Sequence, residues 1–188
     1  MMVNFVCSRN GVNSTKVIAV AVGTGMSKAM AFEQGTIDVV AATGSALSLI
    51  QKRYPGVSSL FDLRSREGVR EYLGFDDLAY SVLYAKADWI RDHRESVSGI
   101  VRATNRASDW ARTHSPTEIG GLLPASIRTA DAAVDMDAIA STVQMLSADG
   151  RFRPEHLEAA REILAVSNTS LSTETVDVTR SYTNEFLK

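Results

Sequence analysis

Two segments constrain this chain more than any others. "TKVIAVAVG" (Thr15 to Gly23) and "TIDVVAAT" (Thr36 to Thr43) are rich in β-branched residues and almost wholly apolar, the pattern of strands buried on both faces. Each stops abruptly in small polar residues, Gly23-Thr24-Gly25 and Thr43-Gly44-Ser45. A helical pattern follows each stop. "TGMSKAMAFEQG" has Thr24 or Ser27 to cap its start and Gly35 to end it, and "SALSLIQKRY" is halted by "YPG". Strand, helix, strand, helix with short turns predicts a parallel sheet covered by helices, an α/β fold.

The flanking segments extend this reading. Val3 to Ser8 reads as the end of an amphipathic helix, closed by "RNG" with Asn10 or Gly11 as a left-handed cap. "SSLFDLRS" reads as an edge strand and loop, "REGVREYLG" as a short helix, and "LAYSVLYAKADWI" as a strand as far as Lys86. Past Asp88 the periodicity becomes helical. Val97, Ile100, Val101, Thr104, Ala107, Ser108 and Ala111 share one face. "SPTEIGG" has the spacing of a capping box, with Ser115 as N-cap, Pro116 at N1 and Glu118 at N3. "DMDAIASTVQML" and "RPEHLEAAREILAVS" add two helices, and the polar, aromatic "VDVTRSYTNEFLK" is expected to wrap back onto the body. The predicted division is therefore residues 1–87, α/β, and residues 88–188, helical. No repeat or low-complexity tract interrupts it.

Composition excludes several functions. The 188 residues are 45% hydrophobic, enough for a sizeable core. Net charge is -2 and the pI about 5.9, so no basic surface favours nucleic acid or an anionic membrane. No apolar run approaches the ~18 residues of a membrane span. Cys7 is the sole cysteine and reads as a small hydrophobe. "MMVNFVCSRNG" lacks the basic start and apolar centre of a secretory signal, so a chain expressed as written is expected to stay in the cytoplasm.

No set of residues assembles an acid, a base and a nucleophile. His93, His114 and His156 are far apart in sequence and match no zinc pattern. GxSxG is absent, and "GTGMSKAM" lacks the GK[ST] ending of a phosphate loop. Asp131, Asp135 and Asp137 lack the glycine and distal glutamate of a calcium loop and read as a solvated helix start. Trp89 and Trp110 read as packing residues. The chain is not expected to be an enzyme, and no cofactor or metal is implied.

Geometry remains. In open α/β sheets ligands sit beyond the carboxyl ends of the strands, and each predicted helix start adds free N–H groups and a positive dipole end. Thr24, Gly25 and Ser27 at one strand end, and Thr43, Gly44 and Ser45 at the other, would form an anion-binding rim. Tyr80, in the later strand, joins the candidate ligand set. Ordinary capping by Ser or Thr accounts for the same spacing equally well.

The order of these segments resembles the substrate-binding proteins of ABC importers for nitrate, taurine and aliphatic sulfonates, and the related thiamine-pyrimidine-precursor proteins. The resemblance runs from "VIAVAVGTGMSKAMAFEQGTIDVVAATGSAL" through "VLYAKADWI", "HSPTEIGGLLP" and "MLSADGRFRPEHLEAAREIL" to "VDVTRSYTNEFLK". It implies a type II periplasmic-binding-protein fold, here partial: two α/β lobes clamp a ligand and deliver it to a membrane permease. It implies a periplasmic location, a small anionic or organic solute, and no catalysis. Asp38, in "GTID", is expected to accept backbone hydrogen bonds at the strand entry. The sequence departs from the family by beginning in mid-pattern, without the first lobe, and by ending its second strand in Thr43-Gly44-Ser45 rather than an acidic or aromatic residue followed by proline. A missing lobe would expose an apolar face and favour a homodimer or higher species.

Alternatives of the same fold are a non-transporting remnant and a ligand-sensing regulatory domain. The regulator would need a winged helix, which is absent. A thiamine-pyrimidine-forming enzyme would need a cysteine-rich iron motif, and this chain has one cysteine.

Overall fold

A computed structural model describes residues 2–167 and 176–187. Nine α-helices carry the chain over these residues: α1 (Met2–Arg9), α2 (Met26–Glu33), α3 (Gly44–Arg53), α4 (Arg66–Gly68), α5 (Ala87–Asp92), α6 (Arg94–Thr113), α7 (Pro116–Leu122), α8 (Ala132–Gln144) and α9 (Pro154–Ser167). α4 runs on into a π-helical turn, Val69–Leu73. Gly74 ends that turn at φ 75°, the left-handed conformation that only glycine adopts without strain. Gly35, at φ 65°, turns the chain just after α2.

Two small cores hold the helices. In the first, Phe5 and Val6 of α1 meet Val69 and Leu73 of the π turn and Ile163 of α9, and Phe75 stacks on Phe5 with ring centres 5.7 Å apart. The start of the chain thus packs on its last long helix. In the second, Ala29 of α2, Leu49 and Ile50 of α3, and Val134 of α8 are buried together. Phe32 and Tyr54 close this cluster edge to face at 6.1 Å. α3 packs chiefly against α8, and α8 also carries α7. The expected capping box is complete: the Ser115 hydroxyl accepts from the Glu118 N–H, and the Glu118 carboxylate accepts from the Ser115 N–H.

The expected α/β fold is overturned. Helices make up 58% of the described residues, and no strand forms among them. Residues 17–22, 37–42 and 79–85 are not helical, yet no backbone hydrogen bond ties them to any other described segment. The sequence encodes the strand preference of these segments. A strand, however, exists only through a ladder with a neighbour, and no described segment supplies one. Burial on both faces fails with it: Ile18 is 88% exposed and Val39 64%. "SSLFDLRS" likewise forms no edge strand. Asp38 is exposed and takes no hydrogen bond among the described residues, because the strand entry it was expected to tie does not form.

The C-terminal segment does return to the body, apart from Lys188, which lies outside the described residues. Asn184 mimics a backbone pair: its Nδ2 donates to the Phe152 carbonyl at 2.8 Å, and its Oδ1 accepts from the Phe152 N–H at 3.0 Å. Tyr182 packs on the Phe152 ring. Arg94 of α6 pairs with Glu185 and lies over the Phe186 ring. Two sequence-similar stretches, "DWIRDH" and "DWARTH", end α5 and α6 in the same manner. His93 stacks on Trp89 at 4.8 Å and His114 on Trp110 at 4.0 Å, each with Nδ1 against the carbonyl of that tryptophan. Both tryptophans are thus parts of helix ends.

Candidate functional site

The two helix starts expected to form the ligand rim are open. Gly25 precedes α2 and Thr43 precedes α3, and neither helix has a side-chain cap. Capping by Thr24, Ser27, Thr43 or Ser45 is therefore not what these hydroxyls do. The Ser27 N–H bonds to the Thr24 carbonyl at 3.2 Å and the Lys28 N–H to that of Gly25 at 3.2 Å, which tightens the first turn of α2. Gly44 opens α3 at φ 55°. Lys28 reaches from α2 to the carbonyl of Ala41 at 2.8 Å, tying α2 to the segment that leads into α3.

Ser45 and Met26, from the two helix starts, line one pocket of about 420 Å³. It runs along α3 past Leu49 to Lys52 and Arg53. Its opposite wall is Thr129, Ala130, Asp131 and Val134, the entry and first turn of α8. Met26, Leu49 and Val134 make it apolar in the middle, and the polar groups sit at its ends. That combination of apolar wall and few polar groups suits a small organic molecule.

The far end is built by a network. Asp131 caps α8 by accepting from the Ala133 and Val134 N–H groups, and takes the Lys52 ammonium at 2.5 Å. The hydrogen bond from Lys52 and those backbone donors hold the Asp131 carboxyl below the usual carboxylate range. Asp135, 8% exposed, receives the Thr129 N–H on both carboxylate oxygens at 3.0 Å, which fixes the loop before the helix. The solvated-helix-start reading of these aspartates thus holds for Asp131, while Asp135 is a buried loop anchor. Arg53 is turned aside by Glu33 at 2.8 Å.

A second pocket of about 360 Å³ lies on the other side of α3, lined by Ser48, Gln51, Arg64, Ser65, Ser141 and neighbouring polar residues. Its guanidinium is already engaged. Arg64 grips both oxygens of Asp62, at 2.8 and 2.5 Å, and holds that carboxyl below its ordinary range.

Of the expected ligand residues, Ser45 alone lines the first pocket. Thr24, Gly25, Ser27, Thr43 and Gly44 lie at the two helix starts beside it. Tyr80 is 69% exposed and lines neither pocket. Lys52, Thr129 and Asp131 were missed as site residues. The sole signal for them in the sequence is the Asp-x-x-x-Asp helix start, which says nothing of a lysine 79 residues away.

A solved structure from Bordetella bronchiseptica RB50 has the same fold: its TM-score is 0.87 at 24% identity, over 98% of this chain. The chain spans 57% of the length of that structure's chain. No curated protein matches the sequence. The model of the family described as NMT1/THI5 like matches residues 1–119. This chain belongs to that family, the family of nitrate, sulfonate and taurine ABC substrate-binding proteins, whose fold is that of periplasmic binding proteins.

Proposed function

We propose that this chain serves solute capture for an ABC importer, with a small anionic organic solute, a sulfonate or a taurine-like molecule, as its ligand. The observation that carries the reading is the family match over residues 1–119. The pocket supports it. The solute's anionic head would sit at the open start of α3, on the Ser45 hydroxyl and the backbone N–H groups after Thr43 and Gly44. Thr24, Gly25 and Ser27 would flank it from α2. Its short apolar stem would lie along Met26, Leu49 and Val134. The Lys52–Asp131 pair would bound the other end and limit the length accepted.

The proposed role is binding without catalysis, as in the family's substrate-binding proteins, and the proposed partner is the membrane permease that receives the solute. The proposed working location is the periplasm. Among the described residues no helix is long and apolar enough to cross a membrane.

A thermal-shift panel of taurine, short alkanesulfonates, nitrate and chloride tests the reading. A sulfonate-specific rise in Tm that Ser45→Asp abolishes, through a carboxylate placed against the anion, is expected. Equal response to every salt, or none, would sink the proposal.

A further inference from the structure

The two charges at the far end of the pocket are held very differently. The Asp131 carboxylate is fixed by its own helix: Oδ1 accepts the Ala133 and Val134 N–H groups at 3.1 and 3.3 Å. Its backbone is fixed too, since the Thr129 hydroxyl accepts from the Asp131 N–H and donates to the Asp131 carbonyl. Oδ2 has a single partner among the described residues, the Lys52 ammonium at 2.5 Å. That ammonium rides on a flexible stem, its side chain is 53% exposed, and it donates to no other group among the described residues. The carboxylate thus keeps its place without Lys52, and nothing but the carboxylate holds Lys52.

We infer that Lys52 occupies the seat of a ligand ammonium, and that the preferred solute is a zwitterion with its anion at Ser45 and its cation on Asp131 Oδ2. The inference rests on the proposed solute-binding reading and narrows it to amino sulfonates longer than taurine. Exchanging one ammonium for another keeps Asp131 paired, and the freed Lys52 swings into water. A second anion on the solute has no such seat, because reaching Lys52 sets it against a carboxylate that its cap keeps in place. Arg53 does not compete, being engaged by Glu33 at 2.8 Å.

The length follows from the helix. Ser45 and Lys52 stand two turns apart on one face of α3, about 10 Å along its axis. One hydrogen bond of roughly 2.8 Å at each end leaves about 5 Å. An extended chain advances ~1.2 Å per bond, so the gap takes about four or five bonds, with about three or four carbons between sulfur and nitrogen. Met26, Leu49 and Val134 supply the apolar wall for that stem.

The test is isothermal titration with two matched pairs, 4-aminobutanesulfonate against butanesulfonate and taurine against ethanesulfonate. Wild type, Lys52→Met and Asp131→Asn are compared, each checked for its helices by circular dichroism, and the quantity read is the affinity ratio within each pair. The wild type is expected to favour the aminobutane compound. Removing the competing ammonium in Lys52→Met is expected to raise that ratio about fivefold, and Asp131→Asn to bring it to about one. The taurine ratio is expected to stay level in Lys52→Met, because the shorter stem does not reach Asp131. A rise in both pairs would reveal a general effect of charge and overturn the inference. Binding of the sulfonates without preference for the amine would overturn it and leave the solute-binding reading standing, whereas binding of none would overturn both. The wild-type ratio decides the matter by itself if a variant fails to fold.

Discussion

Lys52 on α3 and Asp131 at the start of α8 meet at 2.5 Å across 79 residues of sequence, and the contact closes one end of the pocket whose other end is Ser45. The pair therefore couples the shape of the site to the packing of its two main helices. It is exposed on both sides, so its Coulomb energy alone is small. What Asp131 adds is its cap on the Ala133 and Val134 N–H groups.

Separating the two roles gives a first prediction. Asp131→Ala is expected to lower Tm by a few degrees, since cap and pair are lost together. Asp131→Asn keeps an acceptor for the helix N–H groups and is expected to lower Tm less. Lys52→Ala is expected to resemble Asp131→Asn. Differential scanning calorimetry of the three variants checks the order, and equal losses for Asn and Ala would contradict it.

The same carboxylates set the acid limb of stability. Asp131 is held below its ordinary pKa by Lys52 and by backbone donors, and Asp62 by Arg64. A carboxyl depressed in the folded state stabilises above its unfolded pKa, ~3.9, and that contribution is lost as pH falls through the lower folded value. Tm is expected to be nearly level from neutral pH to about 5 and to fall below about 4. Asp131→Asn is expected to flatten part of that fall, which a Tm series in citrate and phosphate buffers measures.

Leu73 is completely buried between α1 and α9. Leu73→Ala is expected to cost about 2–5 kcal/mol, the range for cavity formation in a core that relaxes only partly. Urea unfolding followed by circular dichroism gives the value. A loss under ~1 kcal/mol would show that α1 does not dock as described.

Two glycines make a paired prediction about rigidity. A Cβ on Gly68 would lie 1.8 Å from the Asp62 carbonyl oxygen, which the Asp62–Arg64 clamp helps to hold. A Cβ on Gly120 would meet the terminal methyl of Met136 at 2.6 Å, and that side chain can swing away. Gly68→Ala is expected to cost about 1–3 kcal/mol or more, and Gly120→Ala under ~1 kcal/mol. Urea midpoints of both variants decide it, and a reversed order would contradict the packing around α4 and α7.

What could be read from the sequence was local. Ser115, Pro116 and Glu118 announce their capping box because its geometry lies within four residues. The glycine after α2 and the proline after α3 mark stops for the same reason. Val17 to Val22 and Ile37 to Ala42 advertise strand, and there local reading fails, because pairing depends on a neighbour that composition does not reveal. The candidate site divides along the same line. Ser45 stands out in the sequence at an expected strand-to-helix junction, of which the helix alone forms, whereas the wall of Thr129, Asp131 and Val134 is brought to it by the packing of α8 on α3. The two Trp–His helix ends share the pattern D-W-x-R-x-H, but their stacking and carbonyl contacts appear only in three dimensions.

The pocket between the start of α3 and the Lys52–Asp131 pair is the proposed seat of a small sulfonate. Isothermal titration of the purified chain with butanesulfonate, repeated on Ser45→Asp and on Met26→Trp, tests it. Saturable one-site binding to the wild type is expected, which a carboxylate at 45 or an indole at the half-exposed position 26 removes, with both variants still folded. No heat of binding to the wild type, or binding that persists in both variants, would contradict it.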